Sequence, residues 1–405
     1  MRVLFASTEG SGHFNPLVPF IDACVARGDE VLVVGPPKLE ARLAERGQPY
    51  RIGGEPPAAE TAAIMERFSR VSRKEAAVLI DRELFGRLCT AAMLPALEEA
   101  CRDWRPDLVL REPCEYASAV AAERIGVPHA QVAISAARIE AGALELAAPA
   151  LAPYGGEMVD RLRASPYLTR FPASVDPSPY ALTRRFREAA APRTAPLPDW
   201  WGGSAEPLVY LTLGTVAGGL PVAAAAYRAA LEAVGGLPVR VLLTAGRATD
   251  VSALGPVPPN VHVEAWVPQA DVLACADAVV CHGGSGTTFG TLAAGLPLVV
   301  IPFFADQPTN ARLVSEAGAG LMVGPSGGSP DTMPALGPDD VPRIRAAVES
   351  VLADPSYRTG ARRLADEMRT LPSIDDLLDT LAADFVTGLP PQPQPQPRPR
   401  PRPQA

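Results

Sequence analysis

The chain has 405 residues, 47% of them hydrophobic and 20% charged, with a formal net charge of −8. That length exceeds what one hydrophobic core usually serves and predicts two domains, and the balance excludes a wholly disordered chain, a coiled coil and a collagen-like fibre. An acidic surface repels phosphates, so the charge argues against a nucleic-acid binder and requires any phosphate-bearing ligand to be held by a local device.

The first residues, Arg2 to Ala6, read as a short buried strand, too short in apolar content for a secretory signal. A loop of small residues, Ser7 to Gly12, follows, and Leu17, Val18, Ile21 and Val25 give helical spacing over Phe14 to Arg27. Gly28 ends that helix, and Glu30 to Val34 is a second apolar strand. Strand, helix and strand with continuous apolar strands favour a parallel sheet. The rhythm returns at Leu108 to Leu110, a helix from about Glu115 to Arg124, and a strand over His129 to Ala133. Residues 58–104 and 136–163 are helix-compatible, and residues 166–204 show no period, as expected of a connection between domains.

Strands then resume at Leu208 to Leu213, Val239 to Leu243, Val261 to Val263, Ala278 to Cys281 and Leu298 to Ile301, with a helix from about Thr309 to Ala317. The expectation is two α/β halves in series. Half of residues 390–405 are Pro, which predicts polyproline II or an idle solvated tail. The longest apolar stretch, Leu292 to Ala305, is broken by Gly295, Pro297 and Pro302 and is shorter than the ~20 residues of a membrane span. The six cysteines (Cys24, Cys89, Cys101, Cys114, Cys275, Cys281) contain no C-x-x-C and read as reduced thiols of a cytoplasmic protein.

The most informative segment is Asp277 to Thr288, where an apolar strand delivers His282-Gly283-Gly284-Ser285-Gly286-Thr287 to a helix start. Unpaired backbone N–H groups there face incoming anions, and glycine lets a phosphate approach the main chain. His282 can add an N–H donor, and Ser285 and Thr287 hydroxyls. Alone, such a loop is also compatible with a plain turn. Trp266-Val267-Pro268-Gln269 begins sixteen residues before His282, and its indole offers a flat face for a nucleobase, or a lid on the core. Asp306-Gln307 can share the hydroxyls of a sugar, although most such dipeptides are solvated loops.

In that order and spacing these three motifs resemble the donor site of family 1 inverting glycosyltransferases, and the closest likeness is to bacterial enzymes that attach deoxysugars to antibiotic-type natural products. The likeness is specific over Leu208 to Ala317, and Gly12-His13-x-x-Pro16 extends it to the first half. It implies the GT-B fold, two Rossmann-like domains facing across a cleft. Residues 1–200 would bind the acceptor and 206–373 the nucleotide sugar, 374–389 would form a helix crossing back, and 390–405 the Pro-rich tail. It implies that Trp266 stacks on the base with Val267 and Gln269 nearby. His282, Gly283, Gly284, Ser285, Gly286 and Thr287 would hold the diphosphate, faced by Gly214 and Thr215, and Asp306 and Gln307 would bind the sugar. Members using a ribonucleotide donor commonly carry Glu eight residues after this His, and here that position is Gly290. A buried carboxylate with no 2′-hydroxyl to pair is a cost, so a dTDP-linked donor is expected.

A general base must make the acceptor nucleophilic, and imidazole suits that near neutral pH. His13 follows the first strand, at the carboxyl end of a parallel sheet where ligands gather. Its orienting carboxylate is expected at Glu112, after another strand; the family usually has Asp there, and Glu115 is the alternative. Phe68, Phe85 and Glu115 are expected to face a hydrophobic aglycone. No Asp-x-Asp occurs and no second His or Cys stands at metal-ligand spacing from His262, so neither metal nor cofactor is expected beyond the nucleotide-sugar cosubstrate. A homodimer stays open. A dinucleotide oxidoreductase fits less well, because Asn15 replaces the third glycine of Gly10-x-Gly12 and no acidic residue ends the second strand. Gly324-Pro325-Ser326-Gly327-Gly328 fits a hydrolase elbow only formally. A catalytically silent helper or a nucleotide-sugar epimerase would keep the fold and change the outcome.

Overall fold

In the computed structural model, which describes residues 1–68, 70–188, 194–214, 221–246, 254–326 and 336–387, two parallel sheets are each covered by helices on both faces. The first sheet is built from β1 (Arg2–Ala6), β2 (Glu30–Gly35), β3 (Tyr50–Ile52), β4 (Leu108–Arg111), β5 (His129–Val132), β6 (Tyr167–Thr169) and β7 (Thr183–Arg185). Their order is β3-β2-β1-β4-β5-β6-β7. The second contains β8 (Leu208–Thr212), β9 (Arg240–Thr244), β10 (Val261–Glu264), β11 (Ala278–Cys281), β12 (Leu298–Val300) and β13 (Gly320–Met322), in the order β10-β9-β8-β11-β12-β13. Every pairing is parallel. The central strands are buried on both faces, which is why Val3-Leu4-Phe5-Ala6 and Ala278-Val279-Val280-Cys281 read as unbroken apolar runs.

Each sheet has one point where the strand order reverses, between β1 and β4 in the first and between β8 and β11 in the second. The register sets Ala6 beside Arg111 and Cys281 beside Thr212. Loops leaving two adjacent strands at such a point diverge to opposite faces and open a crevice at their carboxyl ends. His13 and Glu112 follow the first pair of strands, and Gly214 and His282 the second.

The expected connection at 166–204 is corrected in part. Tyr167–Thr169 and Thr183–Arg185 are strands that complete the first sheet, with Tyr167 stacked on Tyr180 at 4.3 Å. Strands of three residues are too short to show a period. Beyond β6 the chain docks on the second domain, where Phe171 packs on Phe289 at 3.8 Å. The last helix, Ile374–Thr387, returns to the first domain and buries Ile374, Leu377, Leu378 and Leu381 against Phe20, Ile21 and Cys24. Each such side chain stabilises the docking by about 1.5–3 kcal/mol. Arg184 fixes Asp384 at 2.9 Å. The Pro-rich segment 390–405 lies outside the described residues. No helix among the described residues is long and apolar enough to cross a membrane, and none of the six cysteines is in a disulfide.

Candidate active site

A cleft of about 2990 Å³ runs between the two sheets' carboxyl ends and is lined from both domains. On the first-domain side the helix begins earlier than its apolar spacing indicates. Ser11–Phe14 is a short helix that continues through a 3₁₀ turn at Asn15–Leu17 into Val18–Ala26, so His13 is helical rather than in an open loop. Its side chain is 22% exposed and its Nδ1 lies 3.2 Å from Oε1 of Glu112, which is fully buried. The contact is close but not aligned as a hydrogen bond. Glu112 is held rigidly: Thr8 donates to Oε1 from its amide at 3.1 Å and its hydroxyl at 2.6 Å, and the Cys114 amide donates to Oε2 at 2.7 Å.

Burial alone would raise the Glu112 carboxyl, but the imidazole and these donors outweigh it and hold it below the ordinary carboxylate range. Burial would likewise depress His13, yet the charge of Glu112, with Asp306 and Asp81 adding to it, holds the imidazole above its ordinary value. Phe85 lies against His13 with ring centres 5.3 Å apart. It is carried by a wide-turned π-helix, Val78–Cys89, that also brings Asp81 to the cleft wall. Burial pushes Asp81 up to about 6, opposed by His13.

On the second-domain side, β11 ends at His282 and the helix Ser285–Ala293 starts after two glycines. Thr288 N donates to Gly284 O at 3.0 Å, and ahead of it the Ser285 amide serves the Asp306 carboxylate, which leaves the Gly286 and Thr287 amides as the open donors of the helix. Gly283 has φ +90°, and a Cβ there would stand 2.8 Å from Val300 Cγ1 and 3.0 Å from Gln307 O. Gly283→Ala is expected to destabilise the fold by about 2 kcal/mol, from left-handed strain plus this clash, measured by thermal unfolding. A Cβ at Gly214, φ +79°, would stand 2.6 Å from His282 Cε1, so the first loop of this domain closes directly over the imidazole. Burial pushes His282 down to about 4. It is therefore a neutral N–H donor near neutral pH rather than a cation.

Asp306 accepts from Ser285 Oγ at 2.6 Å and from Asn310 Nδ2 at 2.9 Å, while Asn310 also donates to Gly283 O at 2.8 Å. Burial pushes the Asp306 carboxyl up against these bonds. Asn310, which no motif signalled, thus ties the glycine turn to the neighbouring loop. Gln307 borders the cleft, but its Oε1 is occupied by the Phe303 and Phe304 amides at 2.9 and 3.3 Å. Only its amide nitrogen remains for a ligand.

His13, Phe68, Phe85, Gly214, Trp266, Val267, Gln269, His282, Gly284, Ser285, Gly286, Thr287, Asp306 and Gln307 all border this cleft. Trp266 is half exposed there. Gly283 lies behind the turn and shapes it. Thr215 falls outside the described residues. Glu115 corrects the expectation: it is 2% exposed, away from the cleft, and its Oε2 accepts from the Ser118 amide at 3.0 Å. The helix starts at Ala117, so Glu115 serves the helix start, and burial pushes its carboxyl up to about 7. Of the two candidate orienters, Glu112 stands beside His13.

This architecture agrees with known proteins. The family described as "Erythromycin biosynthesis protein CIII-like" matches by its N-terminal domain over residues 23–214 and its C-terminal domain over 228–383. The elloramycin glycosyltransferase ElmGT of Streptomyces olivaceus is 35% identical, across 96% of this chain and 98% of its own. The chain belongs to this family of glycosyltransferases. The glycosyltransferase SnogD from Streptomyces nogalater superimposes with a TM-score of 0.72 at 26% identity, over 95% of this chain and 99% of its own. Glycosyltransferase SsfS6 of Streptomyces sp. SF2575, whose structure is complexed with thymidine diphosphate, gives 0.70 at 25% identity over 95% and 99%. The fold is GT-B, two Rossmann-like domains facing across a cleft, and the enzyme is a glycosyltransferase.

Proposed function

We propose that this glycosyltransferase moves a deoxysugar from a dTDP-linked donor to a hydroxyl of a hydrophobic natural-product acceptor, with inversion at the anomeric carbon. The observation that carries the reading is the carboxylate-backed imidazole of His13 lining the same cleft as the glycine turn at 283–286. The thymidine diphosphate bound to SsfS6 supports the nucleotide.

In this mechanism Nε2 of His13 accepts the acceptor's hydroxyl proton as the oxygen attacks the anomeric carbon. The bond from that carbon to the diphosphate oxygen breaks on the opposite face, and the electron pair leaves with dTDP. Glu112 stabilises the imidazolium formed. The free amides at the start of Ser285–Ala293 and the neutral His282 meet the charge developing on the leaving group. Trp266 carries the base, and Asp306 with the Gln307 amide nitrogen holds the sugar. Phe68 and Phe85 pack on the acceptor. No step calls for a metal or a resident cofactor, so turnover is expected to be unchanged in EDTA. Loss on chelation, restored by a divalent cation, would contradict this. An epimerase or a silent helper is not favoured by the enzymes this chain resembles.

The direct test is incubation with a panel of dTDP- and UDP-sugars and polyketide-type phenols, read by mass spectrometry and by the anomeric proton coupling of the product. The expected result is a β-glycoside from an α-linked donor. A retained anomeric configuration, or equal turnover of dTDP- and UDP-glucose, would overturn the corresponding part of the reading.

A further inference from the structure

Beside the His13–Glu112 pair stands a third ligand-type atom, the sulfur of Cys114, and the three ligand atoms lie within 4.8 Å of one another. We propose that His13 Nδ1, a Glu112 carboxylate oxygen and Cys114 Sγ form an inhibitory site for a thiophilic divalent cation of the zinc class. Zinc bonds to sulfur at about 2.3 Å and to nitrogen and oxygen near 2.0–2.2 Å, giving a tetrahedron with edges of roughly 3.5 Å. The nitrogen and oxygen already stand 3.2 Å apart, and the sulfur has to approach by about an ångström or a little more.

Several observations point to a cation here. Nδ1 of His13 is buried and makes no aligned hydrogen bond, so a cation can take this nitrogen once the ring proton moves from Nδ1 to Nε2. Glu112 is fixed by Thr8 and the Cys114 amide, the outer support that ligating carboxylates need. His13 and Cys114 both border the cleft, which supplies an entry path and room for water as fourth ligand. The local field is negative: Glu112, Asp306 and Asp81 act on His13, and Glu112, Asp81 and Glu140 act on Cys114, with Arg111 opposing. One sulfur, one nitrogen and one oxygen donor select zinc-class ions over magnesium or calcium.

Occupation would stop catalysis by tautomer control. With the metal on Nδ1, the imidazole's one proton sits on Nε2, which becomes a donor and can no longer accept the acceptor's proton. The Cys114 thiol releases its proton to solvent on ligation, and no electron is transferred. Binding stands on the three ligands alone, while inhibition rests on His13 being the base.

Two readouts separate these. Cobalt(II) added to EDTA-treated, full-length protein is expected to give a near-ultraviolet thiolate charge-transfer band that saturates at one equivalent. The band should vanish in Cys114→Ser and in His13→Ala and persist in Cys275→Ser, which removes an exposed thiol. Zinc should inhibit wild-type turnover reversibly with EDTA, and Cys114→Ser, measured relative to its own zinc-free rate, should be at least tenfold less sensitive. Unchanged thermal unfolding certifies the fold of that variant, with Cys114→Ala as a second. No band in the wild type, or an undiminished band in Cys114→Ser, overturns the site. A band without inhibition overturns the switch, and with it His13 as the base.

Discussion

His13→Ala is expected to lower glycosyl transfer by about 10²–10⁴-fold, the span a positioned general base usually contributes, while dTDP binding measured by calorimetry stays within a factor of two or so. The separation follows from geography. His13 sits after β1 in the first domain, and the groups assigned to the nucleotide, Trp266 and the 282–287 turn, belong to the second. The pH profile adds a readout that a structural role would not move. The base must be neutral to work, so activity is lost as pH falls through its pKa. Glu112 holds that pKa above the ordinary imidazole value, so the acid limb of kcat/KM should lie above it. Glu112→Gln removes the charge and leaves burial to depress His13. The limb should then move to lower pH even as kcat falls. An unmoved limb would remove Glu112 from the dyad, and full activity in His13→Ala would remove the base.

What was legible in the sequence was what physics repeats. The central strands announce themselves because burial on both faces demands continuous apolar residues, as at Val3 to Ala6 and Val279 to Cys281. The glycine turn was legible because only glycine tolerates φ +90° with Val300 and Gln307 pressed against it. The short strands β3, β6, β7 and β13, at or next to the sheet margins, were not, since three residues carry no period. The π-helix at Val78–Cys89 was illegible for another reason. Its cleft-lining residues Ile80, Asp81 and Phe85 stand at intervals that an α-helix also allows, so the letters do not mark the wider turn. Hydrogen bonds made by side chains far apart in sequence leave no local trace. Thr8 secures Glu112 across 104 positions, and Asn310 reaches Gly283 across 27. Glu112 was the first choice over Glu115, three residues on, because it directly follows the end of the strand over Leu108 to Leu110. The start of the helix at Ala117 separates them: one meets His13 and the other the Ser118 amide.

Gly290→Glu is expected to reverse the proposed donor preference from dTDP- to UDP-sugars, changing the ratio of their kcat/KM values by about a hundredfold or more. Gly290 lies in the helix Ser285–Ala293 and borders the cleft, and a Cβ there would stand 3.8 Å from Gln269 Oε1 and 3.9 Å from Leu273 Cδ1. Both are ordinary contacts at a helical position, where Glu is also a better helix former than Gly, so the variant should fold. Two effects then act in the same direction. A carboxylate accepting from a ribose 2′-hydroxyl contributes about 1.5–3 kcal/mol to a UDP donor, and the same carboxylate, desolvated against a deoxyribose with nothing to pair, costs a dTDP donor about 1–3 kcal/mol. Even the lower ends sum to about 2.5 kcal/mol, close to a hundredfold. Competition assays with equimolar dTDP-glucose and UDP-glucose measure the ratio directly. If Gly290→Glu weakens both donors equally, the carboxylate does not reach the ribose, and the preference for a deoxynucleotide needs another cause.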